Sequence, residues 1–384
     1  MRILFVTPYY LPDLRFGGPP QKIHSIARGL AARGHQVNVA TFDHTNRAAT
    51  EETEVEGIRV CYIPWMGRGL RQVPTNIATI RNEVAQAQIV HGYGLYNFVC
   101  PAAAFVSNRA GVPFVLEPLG MYPARARSQV AKRAYNLVIT KWLMRSTAAV
   151  VAASANEVKE LGAIIDKQKI VLRRNGIDVA AFAELPNGDS LRDRWNIRSD
   201  EKVVLFIGRL SPIKNLEELI LAFDKSELPN ARLILVGPPE PAYEARLHAM
   251  IHARRLESRV LLAGPLYGQD QRAALGLADL FVLPSSFESF GNAAAEAVAA
   301  GVPVVVTETS GIAPLIHGRA GLAVPLGADN LASGIRTMLD REKRQPFIAK
   351  MEEVKRDLSW DEPIAQTERL YENIIRNTKL GRGE

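Results

Sequence analysis

Cysteine is nearly absent: Cys61 and Cys100 are the only two in 384 residues. Two thiols cannot form a disulfide framework, and the chain reads as one suited to a reducing compartment. No run of eighteen apolar residues occurs, so no membrane-spanning helix is expected. The opening stretch "MRILFVTPYYLPD" is apolar only briefly before Pro8 and Asp13 interrupt it, and it reads as a buried first strand rather than a leader. No G-x-G-x-x-G follows that strand, which argues against a Rossmann dehydrogenase. Neither D-x-D nor H-E-x-x-H is found. His248 and His252 fall one turn apart on a helix with no further ligand in view, so no metal site is expected. The net charge of +7 is modest and spread along the chain without a nucleic-acid-binding motif. It fits anionic small partners better than nucleic acid.

What is present is alternation. "RILFVTPYY" reads as a strand, "QKIHSIARGLAARG" as a helix closed by Gly34, and "HQVNVAT" as a second strand. "AQIVHGYG", "VPFVLEPLG" and "STAAVVAAS" read as further strands, with helices between them. The pattern restarts at "EKVVLFIGRLSPIKNLEELILAF" and runs on through "ARLILVGPP", "RVLLAGPL", "DLFVLPSS" and "VPVVVTE". Strands alternating with helices predict parallel sheets covered on both faces. The expected architecture is α/β, with two Rossmann-like, doubly wound domains facing a cleft. Binding sites in such sheets lie at the carboxyl ends of strands. The boundaries are placed at 1–175, 176–356 and 357–384, the last segment being a helix that crosses back to the first domain.

Two stretches of the second half carry chemistry. In "PSSFESFGNAAAEAVAAGVPVV" a strand ends near Pro284 and an alanine-rich helix follows. Asn292 is a candidate helix cap. Glu288 stands in the loop and Glu296 about one turn inside the helix. Amides from Ser289 through Phe290, Gly291 and Asn292 to Ala293 lie at the helix start, where the backbone dipole favours an anion such as phosphate. The two carboxylates could then accept hydrogen bonds from sugar hydroxyls on either side. Read locally, the same stretch is equally a solubilising helix behind a capping loop. In "LFIGRLSPIKNLEELI" the loop after another strand holds Arg209 and Lys214. A guanidinium fork and an ammonium point charge suit a departing diphosphate. Alone, they could be two surface cations.

Taken together these elements resemble the retaining glycosyltransferases of family 4, which have the GT-B fold. The resemblance rests on E-x7-E in "ESFGNAAAE", then "AVAAGVPVV", "GRLSPIKN" and "RRNGID", and it extends over nearly the whole chain. It implies a nucleotide diphosphate sugar, UDP- or GDP-linked, in the C-terminal domain and the acceptor in the N-terminal one. Arg209 and Lys214 would hold the diphosphate, Glu288 the donor sugar and Glu296 the ribose. The stretches containing Pro238 and Leu266 would line the base pocket. Gly17 and Gly18, in "RFGGPPQKIHS", match the family's glycine loop, where a side chain would block the approach of backbone to phosphate. His91, in "IVHGYG", matches a histidine near the donor sugar; a lone histidine is otherwise most often structural. Two motifs differ from the family. Glu117, Pro118 and Gly120 stand where many relatives have His-Gly. "SGIAPLIHG" lacks the usual glutamate, which leaves the backbone of Gly311 and Ile312 to touch the sugar.

The implied reaction moves a hexose-type sugar to an acceptor hydroxyl with retention and without a metal or other cofactor. The acceptor would be a glycan or lipid-linked glycan in polysaccharide, lipopolysaccharide or glycolipid synthesis. The segment 123–146 is basic and partly apolar, with Arg125, Arg127, Lys132, Arg133, Lys141 and Arg145 among Val130, Leu137, Trp142 and Leu143. It could rest on anionic lipid or be an ordinary solvated face. A cytoplasmic protein, in contact with the inner face of the membrane, is the corresponding expectation. The alternatives are a nucleotide-sugar epimerase, a phosphorylase of the same fold, and a sensor that binds the donor without turnover.

Overall fold

The computed structural model describes residues 1–13, 18–44, 50–67, 72–123 and 129–381. Two compact units divide the chain: Met1–Gly176 with Trp360–Glu384, and Ile177–Ser359.

The first unit holds strands β1 (Arg2–Thr7), β2 (Gln36–Phe42), β3 (Glu51–Val55), β4 (Ile58–Ile63), β5 (Trp65–Met66), β6 (Val73–Pro74), β7 (Ile89–Tyr93), β8 (Phe114–Glu117), β9 (Ala149–Ala152) and β10 (Ile170–Leu172). Eight of them form one sheet in the order β10-β9-β8-β7-β1-β2-β4-β3. Its pairs are parallel except at the edge, where β3 returns antiparallel on β4. That hairpin departs from the all-parallel expectation. Its turn, Glu56-Gly57, needs positive φ at both residues, and β3 leaves its charged side chains largely exposed, as an edge strand does. The central strands β1, β7, β8 and β9 are apolar runs buried on both faces. The terminal helix Asp361–Leu380 belongs to this unit and buries Ile364 and Tyr371 in its core.

The second unit is a six-stranded, wholly parallel sheet of β11 (Lys202–Ile207), β12 (Ala231–Val236), β13 (Val260–Gly264), β14 (Leu280–Leu283), β15 (Val304–Thr307) and β16 (Gly321–Val324). Its order is β13-β12-β11-β14-β15-β16. The chain starts in the middle at β11, winds outward to β13, then returns beside β11 with β14 and winds the other way. This reversal makes β11 and β14 neighbours, so the loops that follow them meet. Such a switch point is where open α/β sheets bind ligands.

Candidate functional site

At the carboxyl end of β11 the chain turns through Gly208, Arg209, Leu210 and Ser211 into a single tight turn, Pro212–Lys214. Asn215, in the left-handed region, then starts the helix Leu216–Lys225. At the end of β14, Pro284 to Gly291 lead into the helix Asn292–Ala299. The two loops are tied together: Ser286 donates to the Ile213 carbonyl from its amide at 2.9 Å and from Oγ at 3.0 Å. Lys214 Nζ forms an ion pair with Glu288 Oε2, both side chains about one-fifth exposed. Partial burial makes such a contact more than a screened surface pair. Arg209, on the same loop after β11 as Lys214, is exposed and makes no ion pair among the described residues. The structure thus brings Arg209, Lys214 and Glu288 to one sheet edge.

The start of the helix is set by a glycine rather than by Asn292. Gly291 is the cap, at φ 115°, and Asn292 is the first helical residue. A Cβ at Gly291 would stand 3.0 Å from Ile312 Cγ2 and 3.1 Å from Leu283 Cδ2. Any side chain at the cap position would meet these apolar groups, so the position is kept as glycine. The first helical bonds run from Ala294 and Ala295 to the Gly291 carbonyl, both at 3.0 Å. The amides of Ser289, Phe290, Gly291 and Ala293 are therefore not consumed by the helix, which is the condition for meeting an anion.

The loop after β15 braces this arrangement, a part the sequence does not reveal. Thr307 and Thr309 donate their hydroxyls to the Ser285 carbonyl at 2.6 and 2.7 Å. Gly311 donates to the Glu288 carbonyl at 3.0 Å, and Ile312 to the Phe290 carbonyl at 2.7 Å. This narrows the expectation for Gly311 and Ile312: both amides are spent on holding the Glu288 loop. They position the site and have no amide left for a sugar. Phe290 and Leu266 also turn their side chains into the core. Pro238 is exposed on the loop after β12, and its carbonyl accepts from the Leu210 amide at 3.0 Å. There β11 and β12 approach so closely that a Cβ on Gly237 would lie 1.9 Å from the Gly208 carbonyl oxygen.

Glu296, one turn into its helix, is half-buried and receives one hydrogen bond, 2.9 Å from Gln271 Nε2. Burial pushes its pKa up to about 7, only partly opposed by the Gln271 bond. Gln271 belongs to the helix Gly268–Leu277. It is a site residue that nothing in the sequence marks, five residues beyond Leu266. Only the fold of the second sheet carries it to Glu296.

The first unit holds the remaining candidates. Gly18 begins the helix Gly18–Ala32, and Gly17 lies outside the described residues. His91 is fully buried on β7, stacked on Tyr93 with ring centroids 4.2 Å apart and bonded through Nδ1 to the Tyr371 hydroxyl at 2.5 Å. Burial drives its pKa down to about 3, so the ring is neutral. Beside it, Glu117 receives Arg173 Nη2 at 2.6 Å and pairs with Lys22, all three wholly inside the unit. Glu117, which stands where relatives carry histidine, is thus the anion of a buried ion-pair triad.

One trio among the described residues, Glu52, Cys61 and Glu83, comes close enough to share an ion. The Arg59 guanidinium already spans its two carboxylates, 2.7 Å from Glu52 and 2.8 Å from Glu83, and burial raises the Cys61 thiol to about 12. A guanidinium-bridged pair beside a protonated thiol is a poor metal set.

Two doubly wound units, with the cation–carboxylate cluster at the switch point of the second, give the architecture of the GT-B fold. Residues 188–354 match the family model described as glycosyl transferases group 1, and residues 17–176 the glycosyl transferase 4-like domain. The chain is related to these two families. It is 24% identical to the D-inositol 3-phosphate glycosyltransferase of Jonesia denitrificans, over 93% of this chain and 91% of that protein. It is 25% identical to the glycogen synthase of Mycobacterium tuberculosis, over 97% and 94%. Among solved structures it is similar to Anabaena HepE in complex with UDP and glucose, with TM-score 0.76 and 20% identity, covering 97% of this chain and all of that one. The sucrose-phosphate synthase of Thermosynechococcus elongatus gives the same TM-score at 22% identity, over 98% and 99%.

Proposed function

We propose that this protein is a retaining, metal-independent glycosyltransferase that takes a hexose from a nucleotide diphosphate sugar, UDP-linked in the first instance. The observation that carries the reading is the Lys214–Glu288 ion pair, which joins the loop that carries Arg209 to the loop that leads into the helix Asn292–Ala299. A diphosphate at this edge would meet a guanidinium fork, an ammonium and helix-start amides, the donor set that stabilises charge developing on a leaving group. Glu288, held by Lys214 and by the loop after β15, would accept from a hydroxyl of the sugar. Glu296 would do the same for the ribose, with Gln271 orienting its carboxyl. No protein nucleophile is required: the acceptor attacks on the face from which the diphosphate departs, and the protein acts by positioning and preorganised charge. His91, whose ring is enclosed in the core, stands outside this proposal.

The choice of UDP follows the solved relatives crystallised with UDP and UDP-glucose. The acceptor belongs to polysaccharide, lipopolysaccharide or glycolipid synthesis, met by the first unit at the cytoplasmic face of a membrane. The test is a melting screen of nucleoside diphosphates and their sugars, followed by product analysis. One nucleotide should raise the midpoint, and Arg209→Ala and Lys214→Ala should each reduce the rise. Transfer to an acceptor with the anomeric configuration kept completes the case. A donor converted to its epimer with no acceptor present, or shifts unaffected by both variants, overturns it.

A further inference from the structure

The first unit carries a helical stretch whose outer face is apolar. It runs as Gln129–Tyr135, a wide π-type turn Asn136–Thr140, and Lys141–Ser146. Its inner side is satisfied: Tyr135, Thr140, Leu143 and Met144 are buried. Its outer side should be polar if it faced only water. Instead Val130 is 82% exposed, Leu137 72%, Val138 64% and Trp142 40%. The apolar positions recur at intervals of seven, one and four residues, which keeps them along one flank of the helix. A π-type turn is uncommon and is enriched at functional sites; here it contains Leu137 and Val138. A recess bounded by Leu137, Val138, Lys141, Trp142, Arg145 and Ser146 opens on this face.

Charge separates this face from an ordinary exposed patch. From Pro118 to Asn156 the chain has no aspartate or glutamate, while it has Arg125, Arg127, Lys132, Arg133, Lys141 and Arg145. Arg133, Lys141 and Arg145 are exposed along the same stretch as the apolar residues. They make no ion pair among the described residues. An apolar stripe flanked by unneutralised cations, with an amphipathic tryptophan among them, matches the boundary of an anionic bilayer: side chains enter the acyl edge while cations meet headgroup phosphates. A protein partner would need acids opposite each cation and apolar groups between them; a lipid surface supplies both without specific register.

We infer that the outer face of residues 130–145 docks this protein on anionic membrane, with Leu137, Val138 and Trp142 inserted and Arg133, Lys141 and Arg145 on phosphates. This extends the reading above by naming the surface on which a lipid-linked acceptor arrives. It stands independently of the donor site, since lipid binding needs no nucleotide.

The test is flotation of the full chain with vesicles of phosphatidylcholine alone or mixed with phosphatidylglycerol, at low and high salt. The chain should float with the mixed vesicles, less so at high salt, and stay behind with neutral ones. Lys141→Glu combined with Arg145→Glu should weaken binding by about tenfold or more, given the attraction of each cation near such a surface. Leu137→Ser with Val138→Ser should weaken it while leaving the salt dependence in place. Both variants should keep the wild-type melting midpoint and nucleotide response, which separates loss of docking from loss of fold or of donor binding. Equal flotation with neutral vesicles, unchanged binding by the charge variant, or concentration-dependent self-association that the same substitutions abolish would each overturn the inference; the last would assign the face to a second copy of the chain.

Discussion

Glu296 holds a carboxyl in two conflicting demands. Burial raises its pKa to about 7, while an unfolded glutamate titrates near 4.5. Between these values the folded chain keeps a proton that the unfolded chain has lost, so stability falls as pH rises from about 4.5 to 7 and stays lower above that. Glu296→Gln removes the penalty. It should leave the melting midpoint unchanged at pH 4.5 and raise it by about 2–4 °C at pH 8, read in parallel thermal scans. The same variant should bind the donor more weakly, because an amide accepts less strongly from hydroxyls than a carboxylate. Arg209→Ala should reduce donor affinity by about 10- to 100-fold, the range for a hydrogen bond to a charged group, with little effect on stability because the side chain is exposed. Calorimetric titration with nucleotide measures both. At this scale the sequence was informative about residue type: Arg209, Lys214, Glu288 and Glu296 all lie where two loops or a helix start after a strand. It was silent on partners, since nothing in the spacing of Gln271 and Glu296, or of Glu288 and Gly311, says that they touch.

Loops, at the scale of elements, are held by backbone bonds from other loops. The turn before the helix Asn292–Ala299 depends on Gly291 at φ 115° and on carbonyls taken by Gly311 and Ile312. Gly291→Ala puts a methyl against Leu283 and Ile312 and forces an L residue into a strained conformation, a penalty of about 1–3 kcal/mol. The second unit should lose that much in urea denaturation, and the variant should bind donor poorly because the helix-start amides shift. The sequence suggested Asn292 as the cap because asparagine is a common one. The structure places the cap one residue earlier, at Gly291, where Ile312 and Leu283 leave no room for a side chain. Likewise no periodic pattern marks residues 43–86, which hold β3, β4, β5, β6 and the helix Ile77–Gln86. β3 is short and charged, and β5 and β6 are two residues each, too little for a hydrophobic period to show.

For the whole molecule, the terminal helix matters more than its surface-like composition implies. Ile364 and Tyr371 complete the first unit's core, the Tyr371 hydroxyl meets His91, and Thr367 receives Arg173 Nη1 at 3.3 Å. A chain ending at Ser359 would leave His91 and Arg173 enclosed without these partners, and unpaired buried polar groups are costly. Calorimetry of that shortened chain should show a nucleotide-responsive transition for Ile177–Ser359 and loss, or a fall of more than about 10 °C, of the transition belonging to the first unit. A first unit that melts as before would show that the helix is dispensable.

Outside residues 43–86, the alternation of strands and helices and the presence of a cationic loop and an acidic loop were determined by the sequence alone, because hydrophobic period and turn residues are local properties. Which loops would meet was decided by the sheet order, since β11 and β14 become neighbours only when the chain reverses its winding. The same holds for His91, whose place beneath Tyr371 follows from a helix 280 residues further along. Contacts between distant segments depend on the free energy of the whole packed unit, and no local pattern encodes them.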